Sequence, residues 1–297
     1  MMIKSESKLP HYGGQALIEG VLMRGKRYVV AAVRKPDGDI HVEQEKLTGI
    51  YTTGLTKLPF LRGLVILWDS LSLGMKYLTL SANLQTGEEE EKIEGTTLFL
   101  TLAFSIGMAI LLFFVLPTLI AELISRVFSL TALSINLVEG LMRLAIMLLY
   151  IWVIGFSKDI SRVFAYHGAE HKTINAYEEM VEITVPQVKK YPLAHPRCGT
   201  SFLLTLVIFS IVVFSLLGPL TFWVKIISRI VLVPVIAMFA YEIIRFMGDH
   251  MENPIMRLIT APNLLLQNLT TREPDEKMIE VAITSFKKLL QLEEQME

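Results

Sequence analysis

The chain holds a single cysteine, Cys198, among 297 residues. An intramolecular disulfide is therefore excluded, and the thiol is left as an inert side chain, a metal ligand or a nucleophile. Lysine and arginine number 28 against 29 aspartate and glutamate, for a formal net charge of −1. Without a basic excess there is no case for nucleic acid as a partner, which asks for a basic face. The stretch Met1 to Tyr12 has no apolar core, so no cleavable signal peptide is expected and membrane insertion would be directed by internal segments. Internal repeats and functional low-complexity tracts are lacking too, which removes the usual signature of an inverted-repeat transporter.

What the chain has in abundance is apolar side chains: 52% of residues are hydrophobic and the mean hydropathy is +0.49. That is too apolar for an ordinary soluble domain and points to membrane spans. Four runs read as spans: Thr96 to Ile124, Leu133 to Phe156, Ser201 to Trp223, and Ile226 to Met247. Pro117 is expected to kink the first near one end. The second carries Glu139 and Arg143 at i, i+4, which read as a structural or interfacial pair. The fourth carries Arg229, Pro234, Glu242 and Arg245, with a local Glu242–Arg245 pair expected and, as the alternative, Glu242 turned towards a site. The short link through Gly218-Pro219 makes the last two spans an antiparallel hairpin. Lysine and arginine gather in residues 1–95, in 157–200 and in the C-terminal tail, whereas Arg126, Lys225 and Arg229 stand alone near the opposite loops. Positive-inside logic then puts both termini and residues 157–200 in the cytoplasm of a cell-membrane protein.

The segments between are mixed. Ala16 to Gly25 reads as β, as do Tyr28–Arg34 and Ile40–Glu45, with Pro36-Asp37-Gly38-Asp39 as the turn of a hairpin in a small sheet. From Pro59 to about Ser81 runs a helix whose Arg62, Asp69 and Lys76 recur every seven residues on one face, the pattern of an amphipathic helix lying in the interface or packed on a bundle rather than of a lipid-facing span. Glu88-Glu89-Glu90-Glu91 reads as a solvated linker. Residues 248–270 are punctuated by Asn253-Pro254 and Ala261-Pro262-Asn263 and are expected along the membrane surface. Thr271-Arg272-Glu273-Pro274-Asp275-Glu276 opens a helix to about Glu294, whose Met278, Val281, Ala282, Ser285 and Leu289 form a face for docking on a partner surface. The whole is an α+β polytopic membrane protein. A β-rich cytoplasmic portion (1–58) is followed by an interfacial helix and acidic linker (59–95) and the first two transmembrane helices (96–156). A cytoplasmic His-rich segment (157–200), the last two transmembrane helices (201–247) and a C-terminal segment with its amphipathic helix (248–297) complete it.

The chemistry gathers in two polar knots at predicted membrane boundaries. In His167-Gly168-Ala169-Glu170-His171, a helical turn puts both imidazoles on one face, where they can ligate one divalent metal, zinc being the first expectation. Glu170 between them is the candidate base towards a metal-activated water, in the H-x-x-E-H order of inverted zinc-protease motifs. The third ligand is expected from His195 or Cys198 in His195-Pro196-Arg197-Cys198-Gly199-Thr200-Ser201, with Glu178 and Glu179 as reserve carboxylates. Arg197 and Lys172 are candidates for binding an anionic substrate or intermediate. Two alternatives stay open. Cys198 can act as a nucleophile with a histidine base, or the whole set can be polar groups satisfying helix ends and headgroups at a crowded interface.

Four motifs in order also carry a family likeness: Gly13-Gly14-Gln15-Ala16-Leu17-Ile18-Glu19-Gly20-Val21-Leu22-Met23-Arg24-Gly25, Tyr166-His167-Gly168-Ala169-Glu170-His171-Lys172, His195 to Ser201, and Leu269-Thr270-Thr271-Arg272-Glu273-Pro274. Together they resemble the YqhQ-like family of bacterial membrane proteins of unknown function, sometimes described as predicted metal-dependent enzymes. The resemblance spans nearly the whole chain and implies metal dependence without a mechanism. The expected function is a metal-dependent enzyme, most simply a hydrolase acting at the cytoplasmic membrane face on a lipid-linked or membrane-proximal substrate. A non-enzymatic membrane adaptor that recruits protein partners is the alternative, and a small transporter component stands behind it.

Overall fold

The computed structural model describes residues 12–48, 54, 58–86 and 95–295. The N-terminal tail before Tyr12 and the run Glu88–Glu91 lie outside the described residues. Four strands come first, β1 (Gly13–Leu17), β2 (Gly20–Arg24), β3 (Tyr28–Arg34) and β4 (Ile40–Lys46), paired antiparallel in sequence order. The stretch read as one β segment over 16–25 is instead part of a tight hairpin. Leu17 faces Gly20 across a turn in which Glu19 takes φ 53°, and this reverses the chain after only five residues of β1.

Both faces of the sheet are covered. The alternation of β2 and β3 sends Val21, Met23, Val30 and Ala32 to one side, against α5 (Lys158–Glu178) and α10 (Glu276–Glu294). Leu22, Val29, Ala31 and Val33 go to the other side, against Leu73 and Tyr77 of α1 (Leu61–Thr86). The expected face of α10 is real: Met278, Val281, Ala282, Ser285 and Leu289 are all buried. Its docking surface is the chain's own sheet, with the Ser285 hydroxyl donating to the Val30 carbonyl at 2.8 Å. The three charges of α1 spaced by seven also find internal partners. Arg62 pairs with Glu242, Asp69 with Arg24, and Lys76 with Glu45. Glu242 is thereby tied to α1 rather than to Arg245 or to a site. On α1, Trp68 and Leu71 remain exposed.

The apolar part begins with one continuous 34-residue helix, Gly95–Phe128. It comprises α2 (Gly95–Ile110), a π-helical turn at Leu111–Val115 and α3 (Leu116–Phe128). Pro117 cannot donate to the carbonyl four residues back, that of Phe113. The π turn absorbs the misfit, and Arg143 Nε supplies the missing donor to Phe113 at 2.9 Å. Next come α4 (Ala132–Ile154) and α5, the short α6 (Val185–Val188), α7 (Gly199–Ser215), α8 (Phe222–Asp249) and α9 (Pro254–Thr270). Among the described residues three helices, Gly95–Phe128, α4 and α8, are long and apolar enough to cross a membrane. The expected third span is shorter than predicted: α7 has 17 residues and stops at Ser215, before Gly218-Pro219. Phe99, Phe104, Val127, Leu149 and Val231 on the long helices are exposed. Large apolar side chains exposed along helices of this length fit lipid as their solvent, the mark of a membrane protein.

The segment punctuated by Asn253-Pro254 and Ala261-Pro262-Asn263 is a regular helix over Pro254–Thr270. Asn253 caps it through the Ile255 N–H at 2.8 Å, and Pro254 occupies the first turn, where its missing donor costs nothing. α9 is inside out. Ile255, Leu258, Ile259 and Leu265 are exposed, while Thr260, Asn263, Gln267 and Thr270 are buried.

The contact of α10 with the sheet is centred on Phe286, which is fully buried, with ring centroids of Tyr12 and Tyr177 at 5.3 and 5.0 Å. Phe286→Ala is expected to cost about 3–5 kcal/mol. In mild detergent this appears as a lower melting temperature and earlier proteolytic cleavage within α10.

Candidate metal centre

α5 continues from the end of α4 through Gly155–Ser157 and brings His167 and His171 onto one face. Each ring is held through Nδ1 by a main-chain carbonyl: His167 by Thr270 at 2.9 Å, and His171 by Leu193. A carbonyl only accepts, so both Nδ1 atoms carry the proton and both Nε2 atoms present a lone pair. The His171 Nε2 is buried with no hydrogen-bond partner among the described residues. The His167 Nε2 lies 3.2 Å from the Cys198 Sγ. His167, His171 and Cys198 offer ligand atoms within 4.8 Å of one another. Glu170 adds a carboxylate oxygen 3.9 Å from the His167 Nε2 and 3.6 Å from the His171 Nε2. Tetrahedral zinc with bonds of about 2.0–2.3 Å separates its ligand atoms by roughly 3.3–3.8 Å. Fixed tautomers, an unpartnered buried nitrogen and these spacings fit a transition metal, and the backbone carbonyls are the outer-shell partners that orient ligating imidazoles.

The close packing depends on two glycines. Gly168 faces the Arg272 carbonyl, and an added Cβ would collide with that backbone oxygen and lie 2.8 Å from Leu193 Cδ2. This approach lets Thr270 reach His167, and it is sealed by the Arg272 N–H donating to the Phe164 carbonyl at 2.9 Å. Gly14 in β1 faces the Glu170 side chain, where a Cβ would fall 2.7 Å from Cγ. Gly14, the second of the two glycines at the start of the sheet, thus closes one wall of the centre.

The other candidates lie around this group. Cys198 is the N-cap of α7, its sulfur accepting from the Thr200 N–H at 3.3 Å. His195 does not join the cluster. Its ring centroid is 5.6 Å from that of His171, and its Nε2 is turned to Glu178 at 3.6 Å. Burial holds this imidazole below its usual pKa. Burial pushes the Glu178 carboxyl up, but His195 and Arg197 outweigh it and hold the group below the usual carboxylate range. Arg197 is paired with Glu178. The Lys172 ammonium donates to the carbonyls of Lys189 and Tyr191 at 2.9 and 2.8 Å and pairs with Glu273 at 2.8 Å, which commits its three donors to the fold. Glu179 is the C-cap residue of α5.

Gln267 escapes the sequence reading. Its Oε1 accepts from the His195 N–H at 2.8 Å, and its Nε2 donates to the His195 carbonyl at 2.8 Å and to Ser201 Oγ at 3.1 Å. It holds the second knot against α9 as a strand partner would. A buried amide on an apolar-looking helix was the available signal, hidden by the prolines around it.

The chain belongs to the family described as Protein of unknown function (DUF1385), which matches residues 58–292. It is 37% identical over 300 residues, 96% of this chain and 93% of the relative, to the "Uncharacterized protein YqhQ" of Bacillus subtilis (strain 168). The resemblance drawn from the four motifs is thereby shown. No solved structure matches the chain.

Burial pushes the Glu170 carboxyl up to about 7, against a smaller opposing pull from His167. A raised folded-state pKa adds no penalty below the unfolded value. The penalty grows as pH rises and is complete above the folded value, at roughly 3 kcal/mol. With chelator present, Glu170→Gln is therefore expected to raise the melting temperature at about pH 8 and leave it unchanged near pH 4. An equal gain at both pH values would show that the carboxyl is not raised.

Proposed function

We propose that this protein is a metal-dependent enzyme of the membrane surface, with His167, His171 and Cys198 holding a divalent ion, zinc by donor chemistry. The observation that carries the reading is the pair of imidazoles whose Nδ1–H groups are committed to backbone carbonyls, which frees both Nε2 lone pairs in a group where His167, His171 and Cys198 offer ligand atoms within 4.8 Å of one another. A bound divalent ion in such a set supplies Lewis acidity. Glu170 is the acid–base group, because one of its carboxylate oxygens lies 3.9 and 3.6 Å from the two Nε2 atoms. His195, Glu178 and Arg197 form a supporting row behind His171.

Hydrolysis is the reaction class we favour, on a lipid-linked or membrane-proximal substrate. The exposed apolar side of α9, whose last residue Thr270 holds His167, supports that substrate class, because such a face suits a lipid surface. In this reading α7 completes a fourth crossing with help from residues 216–221, both termini are cytoplasmic and the membrane is the cell membrane, in keeping with the lysine and arginine distribution. A second reading rests on the 3.2 Å contact of Cys198 with His167, which also suits a thiol nucleophile and its base. The adaptor reading would have to recruit partners through surfaces other than the buried face of α10, which packs on the sheet. The transporter reading loses its shared carboxylates: Glu139 is bound by Arg143 and Arg229, and Glu242 by Arg62.

Protein purified in mild detergent is expected to hold about one equivalent of zinc or another transition metal per chain, lost in His167→Ala/His171→Ala. A folded wild type that takes up no metal even after reconstitution would sink the proposal. Glu170→Gln is expected to keep the metal and lose activity by roughly 10²–10⁴-fold; loss of metal as well would make Glu170 a ligand. Cys198→Ser separates the two readings, because a nucleophile's replacement leaves metal content untouched.

A further inference from the structure

A second buried charge cluster lies among the long helices, apart from the metal centre. Glu139 on α4 accepts from Arg143 Nη2 at 2.7 Å and from Arg229 of α8 through Nε at 3.0 Å and Nη2 at 3.2 Å. Arg229 Nη2 also donates to Asn136 Oδ1 at 2.9 Å, Arg229 Nη1 to Ser228 Oγ at 3.3 Å, and Asn136 Nδ2 to the Leu217 carbonyl at 2.9 Å. Arg229 is wholly buried, and Glu139 and Arg143 are 1% and 4% exposed. Neighbouring Lys225 and Glu122 neutralise each other at 2.9 Å. Two guanidinium groups therefore share one carboxylate, and guanidinium does not give up its proton. The rings of Phe114 and Phe214 lie 5.5 and 5.3 Å from the Arg143 guanidinium, which softens a positive charge but does not cancel it.

The surplus has an address. Arg143 Nε is used by Phe113 and Nη2 by Glu139, whereas Nη1 is buried with no partner among the described residues. An uncompensated charge in a lipid-surrounded helix bundle is costly enough to demand a counter-ion. Glu139 and Arg143 lie seven and eleven residues after Ala132, the start of α4. That is roughly 10–16 Å along the helix, well inside the bundle. From the unpartnered nitrogen, the charge imbalance and the depth we propose that Arg143 Nη1 binds a small monovalent anion of the halide class. The anion completes the Glu139–Arg143–Arg229 cluster and locks α4, α8 and the π turn together.

The test uses the full chain in a neutral detergent, with chloride exchanged for gluconate, too bulky for the site, at constant ionic strength. Wild type is expected to melt higher in chloride, saturably, by roughly 5 °C, and to broaden the chloride-35 NMR line. Arg143→Gln is expected to lose both effects, since the remaining Glu139–Arg229 pair is neutral. Glu139→Gln, which leaves two unbalanced cations, is expected to steepen the chloride dependence, and it keeps the test decisive should Arg143→Gln fail to fold. Equal melting of wild type in chloride and gluconate with line broadening no greater than that of Arg143→Gln, or a Glu139→Gln protein whose melting ignores chloride, would overturn the proposal.

Discussion

The backbone contact between α5 at Gly168 and the chain at Thr270–Arg272 is the constraint on which the arrangement rests. α5 belongs to two bodies at once. One side packs on the strands and α10, and the other carries the imidazoles towards α7 and α9. Because Gly168 has no side chain, the end of α9 comes close enough to fix His167 through a carbonyl and to let Gln267 grip the His195 backbone. A methyl group there would push α9 away, and the grouping of His167, His171 and Cys198 would go with it. Gly14 does the same on the other wall, allowing β1 to close over Glu170 and exclude water from it. Burial of that carboxyl, and hence its neutral-range titration, is a product of sheet packing as much as of the helix that bears it.

Much of this was legible locally. A helical turn at 167–171 follows from residue spacing, as do the Glu139–Arg143 pair and the buried face of α10, because i, i+3 and i+4 neighbours meet whatever the tertiary fold. The strands Tyr28–Arg34 and Ile40–Lys46 follow from alternation and a turn signal. What escaped depends on distance in sequence. Arg229 lies 90 residues from the carboxylate it binds, and no local pattern announces that. Cys198 rather than His195 faces the imidazoles because Gln267, far along the chain, sets the backbone of the knot. α9 was hidden by Pro254 and Pro262, residues that read as breakers yet sit in a helix first turn and on an exposed face.

The apolar helices show how one backbone irregularity is put to use. Pro117 removes a donor from the helix ladder and leaves the Phe113 carbonyl open, and the arginine that fills it is the one paired with Glu139. A defect in one helix thereby orients a charge on the next, which fixes how α8 must pack through Arg229. Polar groups in this region hold helices in register where apolar packing against lipid-like neighbours would not distinguish one rotation from another.

The sheet is closed by the last helix of the chain, with Ser285 reaching Val30 across 255 positions. During synthesis the strands emerge first and wait while the apolar helices are made and inserted. Val30 and Ala32 lack the α10 part of their cover until residues 276–294 leave the ribosome. The sheet's core is thus discontinuous in sequence, and its completion is a high-contact-order step that waits on α10. Completion of the sheet is then a built-in report that every helix between the two termini has been delivered.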